Sequence, residues 1–493
     1  MRYLNLLFFL LTLSAYAQNI ELKWAEKIKT KGQVSILGGK GGKYYTSHND
    51  NDKHLICRSY DKNMNFTDEK IVSFNLDSKK YMYRGAYFLN DKIVHFIVDH
   101  DRKADKNFLY GSTTDLNLNT SDKTFILDEA DEDDYSFGAR SISPDSTKIV
   151  VYNEVKGKRK EPSLLNFKVY NAAFKDVLLK KTVELPIKAK NFTTETIGVD
   201  NLGNVFVLAK IFKEKEERGK ELSNFYYKLV VFNNDDKPKE FDFDYPNKEI
   251  ESIDIIPGEN NTLICTGFLK ILDKGFFSKG KKALISDEMF TSIIDSKTIT
   301  LKSANKYELE GLYPEKPKKA EDYTPYKVKN IFYRKDGGSV VVAEQYKLVV
   351  TTHTTPQGSR TTYKYYYCDI AVIHINSKSV VESVSKMPKY QMNSANPSIV
   401  STHFQGTTYI VYEDLLKNAE AENDKETKRA TGKSSKNALF LLSIAPSGEM
   451  KKEVIFNYKE SKIRPRIMTS RVVGKNEILL NADDQLGLLK ISG

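Results

Sequence analysis

Arg140-Ser-Ile-Ser-Pro-Asp-Ser-Thr-Lys-Ile-Val-Val-Tyr152 sets a tight polar turn directly before a short apolar run, which is how a hairpin feeding a buried strand reads. Looser copies of the phrase centre on Lys43 to Ser47, Lys92 to Val98, Asn204 to Leu208, Thr262 to Thr266, Ser339 to Ala343, Thr408 to Tyr412 and Glu477 to Leu480. Neighbouring copies start between 49 residues apart (Lys43 to Lys92) and 77 apart (Thr262 to Ser339). A four-stranded unit recurring at such a period hides its faces only against its neighbours, so the pattern predicts an all-β chain folded as one β-propeller.

With strands running outward from the axis, A to D, and the repeated strands taken as B, blades fall at roughly 32–76, 81–128, 135–186, 191–246, 249–309, 326–390, 395–460 and 463–492. Eight blades are expected; seven follow if Gln33 to Phe74 is a cap. The last unit is one strand short, offering Pro465 to Val472, Glu477 to Leu480 and Leu486 to Ile491, while Ile20 to Ile28 has no partner of its own. The N-terminal strand is therefore expected to complete the last blade, which removes two exposed sheet edges. Turn residues agree with the register: Ser143-Pro-Asp-Ser146, Asp200-Asn-Leu-Gly203 and Lys335-Asp-Gly-Gly338 join apolar strands with residue types that tolerate positive φ.

The Ser143-Pro-Asp-Ser146 turn followed by Lys148-Ile-Val-Val-Tyr152 resembles the TolB-like, or PD40, propeller repeat, whose usual form is Ser-Pro-Asp-Gly before an apolar strand. Ser146 stands where that pattern has Gly, and the match covers one blade. The resemblance implies a propeller that commonly binds proteins, and it carries over no catalytic residue.

Met1-Arg2, the apolar run Leu4 to Leu13 and the Ala15-Tyr16-Ala17 ending form a secretory signal peptide over 1–17, leaving 18–493 as the propeller. Export to the periplasm or the exterior is expected, and no later segment is apolar for long enough to span a bilayer. Loss of Arg2 takes the formal charge from +11 to +10 (11 − 1), a balance that favours acidic partners. Cys57, Cys265 and Cys368 are odd in number and lie in apolar strands, so buried thiols are expected; Cys265 with Cys368 is the one pairing the blade order allows.

Six B-to-C hairpins are long and charged: Asp99 to Lys106, Lys156 to Lys160, Lys213 to Lys220, Lys270 to Lys282, Thr351 to Lys364 and Lys417 to Lys436. All emerge on one rim, and loops on a rigid scaffold are where function concentrates. The candidate binding residues are Lys156, Lys158, Arg159 and Lys160 on blade 3 and Lys425, Lys428 and Arg429 on blade 7. The same rim holds the mouth of the central channel, near which fall Arg84, Arg140, Asn396, Arg464 and Arg466. Such guanidinium groups suit an anionic ligand, or else they pair with acids ending B strands: Asp99, Glu154, Glu344, Glu413 and Asp483.

No Gly-x-Ser-x-Gly elbow, His-Glu-x-x-His, phosphate loop or Cys-x-x-Cys pair is present. The acidic stretch Asp128 to Asp134 lacks the spacing of a Ca²⁺ loop, and His95 and His374 alternate with apolar strand residues. No metal, cofactor or nucleic acid is expected. The expected function is a non-enzymatic module binding a protein or an anionic envelope ligand through the rim. The alternative is a hydrolase, glycans being one substrate class, with a pair of carboxylates at the channel mouth.

Overall fold

The computed structural model describes residues 19–28, 30, 34–50, 54–76, 81–101, 105–131, 137–218, 223–258, 260–271, 285–313, 324–356, 358–392, 398–423, 425–430, 434–482 and 484–492. The expected signal peptide, Asn396, Asp483 and the side chain of Arg140 lie outside the described residues.

Blade 1 consists of Ser35–Lys40, Lys43–Asn49, Leu55–Tyr60 and Phe66–Ile71, and blade 2 of Met82–Leu89, Lys92–Asp101, Lys106–Asp115 and Phe125–Asp131. Blade 3 has Phe137–Ile142, Lys148–Val155, Pro162–Asn171 and Val177–Lys188; blade 4 has Phe192–Val199, Val205–Phe212, Phe225–Phe232 and Lys239–Phe243. Blade 5 has Lys248–Gly258, Thr262–Ile271, Ile285–Asp295 and Thr300–Glu308; blade 6 has Tyr326–Tyr333, Ser339–Thr355, Gly358–Ile375 and Val381–Met387. Blade 7 has Ile399–Phe404, Thr407–Leu415, Asn437–Ile444 and Met450–Asn457. Each is an antiparallel sheet in the order A-B-C-D, so the segment around Gln33 to Phe74 is a full blade and the ring has eight. The predicted cores fall on the B strands, which are deeply buried: Thr407–Leu415 is buried from Thr408 to Asp414.

Blade 8 takes Arg471–Gly474, Glu477–Asn481 and Leu486–Ser492 from the C-terminal end and Asn19–Trp24 from the N-terminal end. Ile20 pairs with Ile491, Leu22 with Leu489 and Trp24 with Gly487. The Trp24 indole lies so close to Gly487 that a Cβ there would sit 2.7 Å from Cζ3, so only glycine lets the two strands meet. Strand A of blade 8 starts at Arg471, later than the expected Pro465, because Pro465 has no N–H to give a ladder and Ile467–Thr469 coils into a 3-10 turn.

What joins the blades is apolar packing across each interface. Leu89, Phe96 and Leu109 of blade 2 pack on Ile149, Val151 and Phe174 of blade 3. Val340, Val342 and Val372 of blade 6 meet Ile410, Phe440 and Leu442 of blade 7. The ring closes through Ala25, Leu479 and Leu488 of blade 8 against Ile36, Tyr44 and Tyr60 of blade 1. Burying such a side chain contributes about 1.5–3 kcal/mol. Cys57, Cys265 and Cys368 are buried and not disulfide-bonded, so the Cys265–Cys368 pairing does not form; burial pushes the Cys57 thiol up to about 12.

Candidate functional site

The up-and-down order of every blade puts the A-to-B and C-to-D turns on one rim and the B-to-C hairpins, with the blade-to-blade connectors, on the other. On blade 3 the hairpin is rigidly based. Glu161 N donates to Lys158 O at 2.8 Å, and Ala189 N of the connector donates to Glu161 O at 2.8 Å. Gly157 is required there, because a Cβ would lie 2.1 Å from Pro162 O. Lys156, Lys158, Arg159 and Lys160 project from this base exposed, and none has an ion-pair partner among the described residues.

Blade 7 holds its loop by a buried chain of hydrogen bonds. Asn418 Nδ2 donates to Asp414 Oδ1 at 3.0 Å and to Lys428 O at 2.8 Å, while Lys428 N donates to Asn418 Oδ1 at 2.8 Å. Lys452 Nζ clamps the same turn through Asn418 O and Ala421 O, at 2.6 and 2.7 Å. Burial pushes Asp414 up to about 6. Lys425, Lys428 and Arg429 stand exposed on this framework, without an ion-pair partner among the described residues; Arg429 touches Met392 Sδ at 4.0 Å.

The channel mouth is built differently. Arg464 donates from Nη2 to Glu413 Oε1 at 2.9 Å and from Nε to Oε2 at 3.1 Å. Glu413 has no exposed side-chain surface, and Asn437 Nδ2 adds a third bond at 2.7 Å. Next to it Glu344, also wholly buried, receives Lys389 Nζ at 2.5 Å and Lys329 Nζ at 3.1 Å. Lys270 Nζ bridges Glu249 at 2.6 Å and Glu251 at 3.3 Å, and Thr194 Oγ1 donates to Glu154 at 3.2 Å. Asp99 accepts from His100 N at 3.0 Å. Arg84 is exposed in strand A of blade 2, and Arg466, also exposed, precedes the 3-10 turn into blade 8. Of the expected mouth residues, Arg464 is held by Glu413.

Two features were not read from the sequence. A β-bulge recurs near the start of strand A, leaving Arg84, Glu195, Glu251 and Lys329 outside the ladder in blades 2, 4, 5 and 6. Bulges re-aim side chains, and their recurrence shows only in the pairing. Lys210, at the end of strand B in blade 4, has its ammonium 3.6 Å from the Phe225 ring centroid, with Phe212 at 5.5 Å and Tyr227 at 5.8 Å. The alternation of Lys210 with Phe212, and of Phe225 with Tyr227, was the available signal. Glu195 and Asp254 have no cation within 4 Å among the described residues; burial raises Asp254. No group of three or more His, Cys, Asp or Glu able to hold a metal occurs among the described residues, and no helix there is long and apolar enough to cross a membrane.

No family model matches the chain, and no curated protein matches it. Among solved structures it is similar to the β-propeller domain of the Trilobed protease from Pyrococcus furiosus, at 10% identity and a TM-score of 0.36, covering 87% of this chain and 96% of that one. It is also similar to a post-proline cleaving enzyme from Rickettsia typhi (10% identity, TM-score 0.32, covering 78% and 57%). Prolyl oligopeptidase B from Galerina marginata matches at 8% identity and a TM-score of 0.39, over 87% of this chain and 52% of that one.

Proposed function

We propose that this chain is an exported, non-enzymatic propeller of the TolB-like kind that binds an acidic protein or anionic envelope ligand through its B-to-C rim. The observation that carries this is a contrast of charge. Lys156, Lys158, Arg159, Lys160, Lys425, Lys428 and Arg429 are exposed without ion-pair partners among the described residues, whereas Glu413, Glu344, Glu249 and Glu251 at the mouth are held by cations. Unpaired surface cations raise encounter rates with acidic partners and set specificity. Carboxylates locked to Arg and Lys are poorly placed for acid–base work, so the hydrolase reading is the weaker one; Glu195 and Asp254, in blades 4 and 5, are carboxylates without a cation among the described residues that it could use. The leader-like start of the chain supports export.

Affinity capture from the native envelope fraction tests the binding reading. One variant carries Lys156, Lys158, Arg159 and Lys160 changed to Ser; a second is trimmed between Lys417 and Lys436. Loss of the captured partner in either supports the rim. Unchanged recovery in both contradicts it. Mass analysis of the native N-terminus tests export: a chain beginning at Gln18 supports it and an intact Met1 contradicts it.

A further inference from the structure

The long hairpin of blade 6 is a two-stranded ribbon. The hairpin expected over Thr351 to Lys364 is paired nearly to its tip, with strands B and C in register from Tyr346↔Tyr367 to Thr355↔Gly358, because Val349-Val-Thr-Thr and Thr361-Thr-Tyr are β-branched and aromatic. We propose that this ribbon takes up an extended acidic segment of a partner protein as an added β-strand, along the edge of strand B from Lys347 to Thr355. The proposal rests on the rim being the partner-binding face and names how one partner docks there.

Three observations carry it. First, the edge is open. Strand A pairs with strand B only as far as Gln345, and Tyr346 N donates to Pro325 O at 3.0 Å. Beyond that, strand B has no further backbone partner on this side among the described residues. Such edges are normally kept short or broken by Pro or bulges, and Lys347 to Thr355 shows none of these. At its base the ribbon already accepts short strands on the opposite edge, where Tyr366 pairs with Met392 and Tyr367 with Gln391.

Second, one face offers apolar side chains to an incoming strand. Leu348 faces Tyr365 and Val350 faces Tyr363 across the ladder, and they are 41%, 39%, 52% and 52% exposed. Third, the charges have one sign. From Tyr346 to Tyr367 the ribbon carries Lys347, Arg360 and Lys364, with His353, and no Asp or Glu. A second copy would set like charges together, whereas an acidic strand is attracted. A membrane is disfavoured, because an open backbone edge has no place in hydrocarbon and the tip, Thr354-Thr-Pro-Gln-Gly-Ser359, is polar.

The test is fluorescence anisotropy of the mature chain with a fluorescein-labelled (Glu-Val)4 peptide. Binding should weaken by about tenfold or more when 349–364 is replaced by Asn-Gly joining Leu348 to Tyr365, when alternate peptide amides are N-methylated, or in the variant Lys347→Ser/Arg360→Ser/Lys364→Ser, which keeps the ribbon. The unfolding midpoint shows that the shortened chain is folded. Absence of binding, equal binding of the N-methylated peptide, or equal binding by a folded shortened chain overturns the proposal. So does ribbon-dependent dimerisation in sedimentation, or ribbon-dependent flotation with phosphatidylglycerol vesicles in place of peptide binding. If peptide binding needs the ribbon but envelope capture ignores the blade 3 and blade 7 cations, the ribbon stands and the wider rim reading fails. The reverse pattern fails the ribbon alone.

Discussion

Arg464 and Glu413 form a forked ion pair between the blade 7–8 connector and strand B of blade 7, with the carboxylate wholly buried and the guanidinium partly exposed. It ties two blades together at the channel mouth. Removing the guanidinium leaves a wholly buried carboxylate without its forked cation, so Arg464→Ala should cost on the order of 2 kcal/mol in chemical denaturation. Partner capture by the folded variant should be unchanged, which separates a structural mouth from a binding one.

Acid should unfold the protein partly through two histidines at the blade 6–7 interface. Burial holds His374 and His403 down to about 4, against an ordinary value near 6.5. The unfolded chain therefore takes up protons first as pH falls. Their burial costs nothing above about pH 6.5, and the penalty for keeping them neutral grows as pH falls from about 6.5 to 4. A His374→Gln/His403→Gln variant should show a flatter stability profile over that window in pH-dependent urea melts.

Asp414 acts with the opposite sign. Its folded value lies near 6, above the unfolded carboxylate, so its contribution is present in acid and is lost as pH rises through about 6. Asn at this position keeps an oxygen for Leu415 N and Asn418 Nδ2. Asp414→Asn should therefore raise the melting temperature at pH 8 and leave it nearly unchanged at pH 4.

Ser146 holds φ of +55°, the left-handed region that a side chain disfavours, at the position where the usual repeat has Gly. Its turn is otherwise well bonded: Ser146 N donates to Ser143 O at 2.8 Å, and Asp145 N to Asn201 Oδ1 of blade 4 at 3.0 Å. Ser146→Gly should stabilise the fold by about 0.5–1 kcal/mol, read from the denaturation midpoint.

The blades were legible because each B strand is a local apolar run fed by a turn, as at Lys148 to Tyr152, and because the apolar alternation of Ile20, Leu22 and Trp24 matches that of the strand ending at Ile491. The mouth was legible only in part. Arg464 with Glu413 was among the expected pairings, since both lie where strands end. Lys389, wholly buried on Glu344, reads locally as one more surface lysine, because its partner is 45 residues away. The blade 6 hairpin is legible as a long one, but its pairing nearly to the tip is signalled only by the β-branching at Thr351 and Thr352. Bulges such as that at Glu195 depend on register with the neighbouring strand, which no local pattern carries.

The central claim is that the partner sits on the B-to-C rim. Site-specific photo-crosslinking in the exporting cell tests it most directly, with p-benzoylphenylalanine placed in turn at Arg159 and Lys428 on that rim and at Lys335 and Lys378, exposed on the opposite rim. The account predicts a covalent adduct of one partner from Arg159 or Lys428 and none from Lys335 or Lys378. Adducts confined to Lys335 and Lys378 would contradict it.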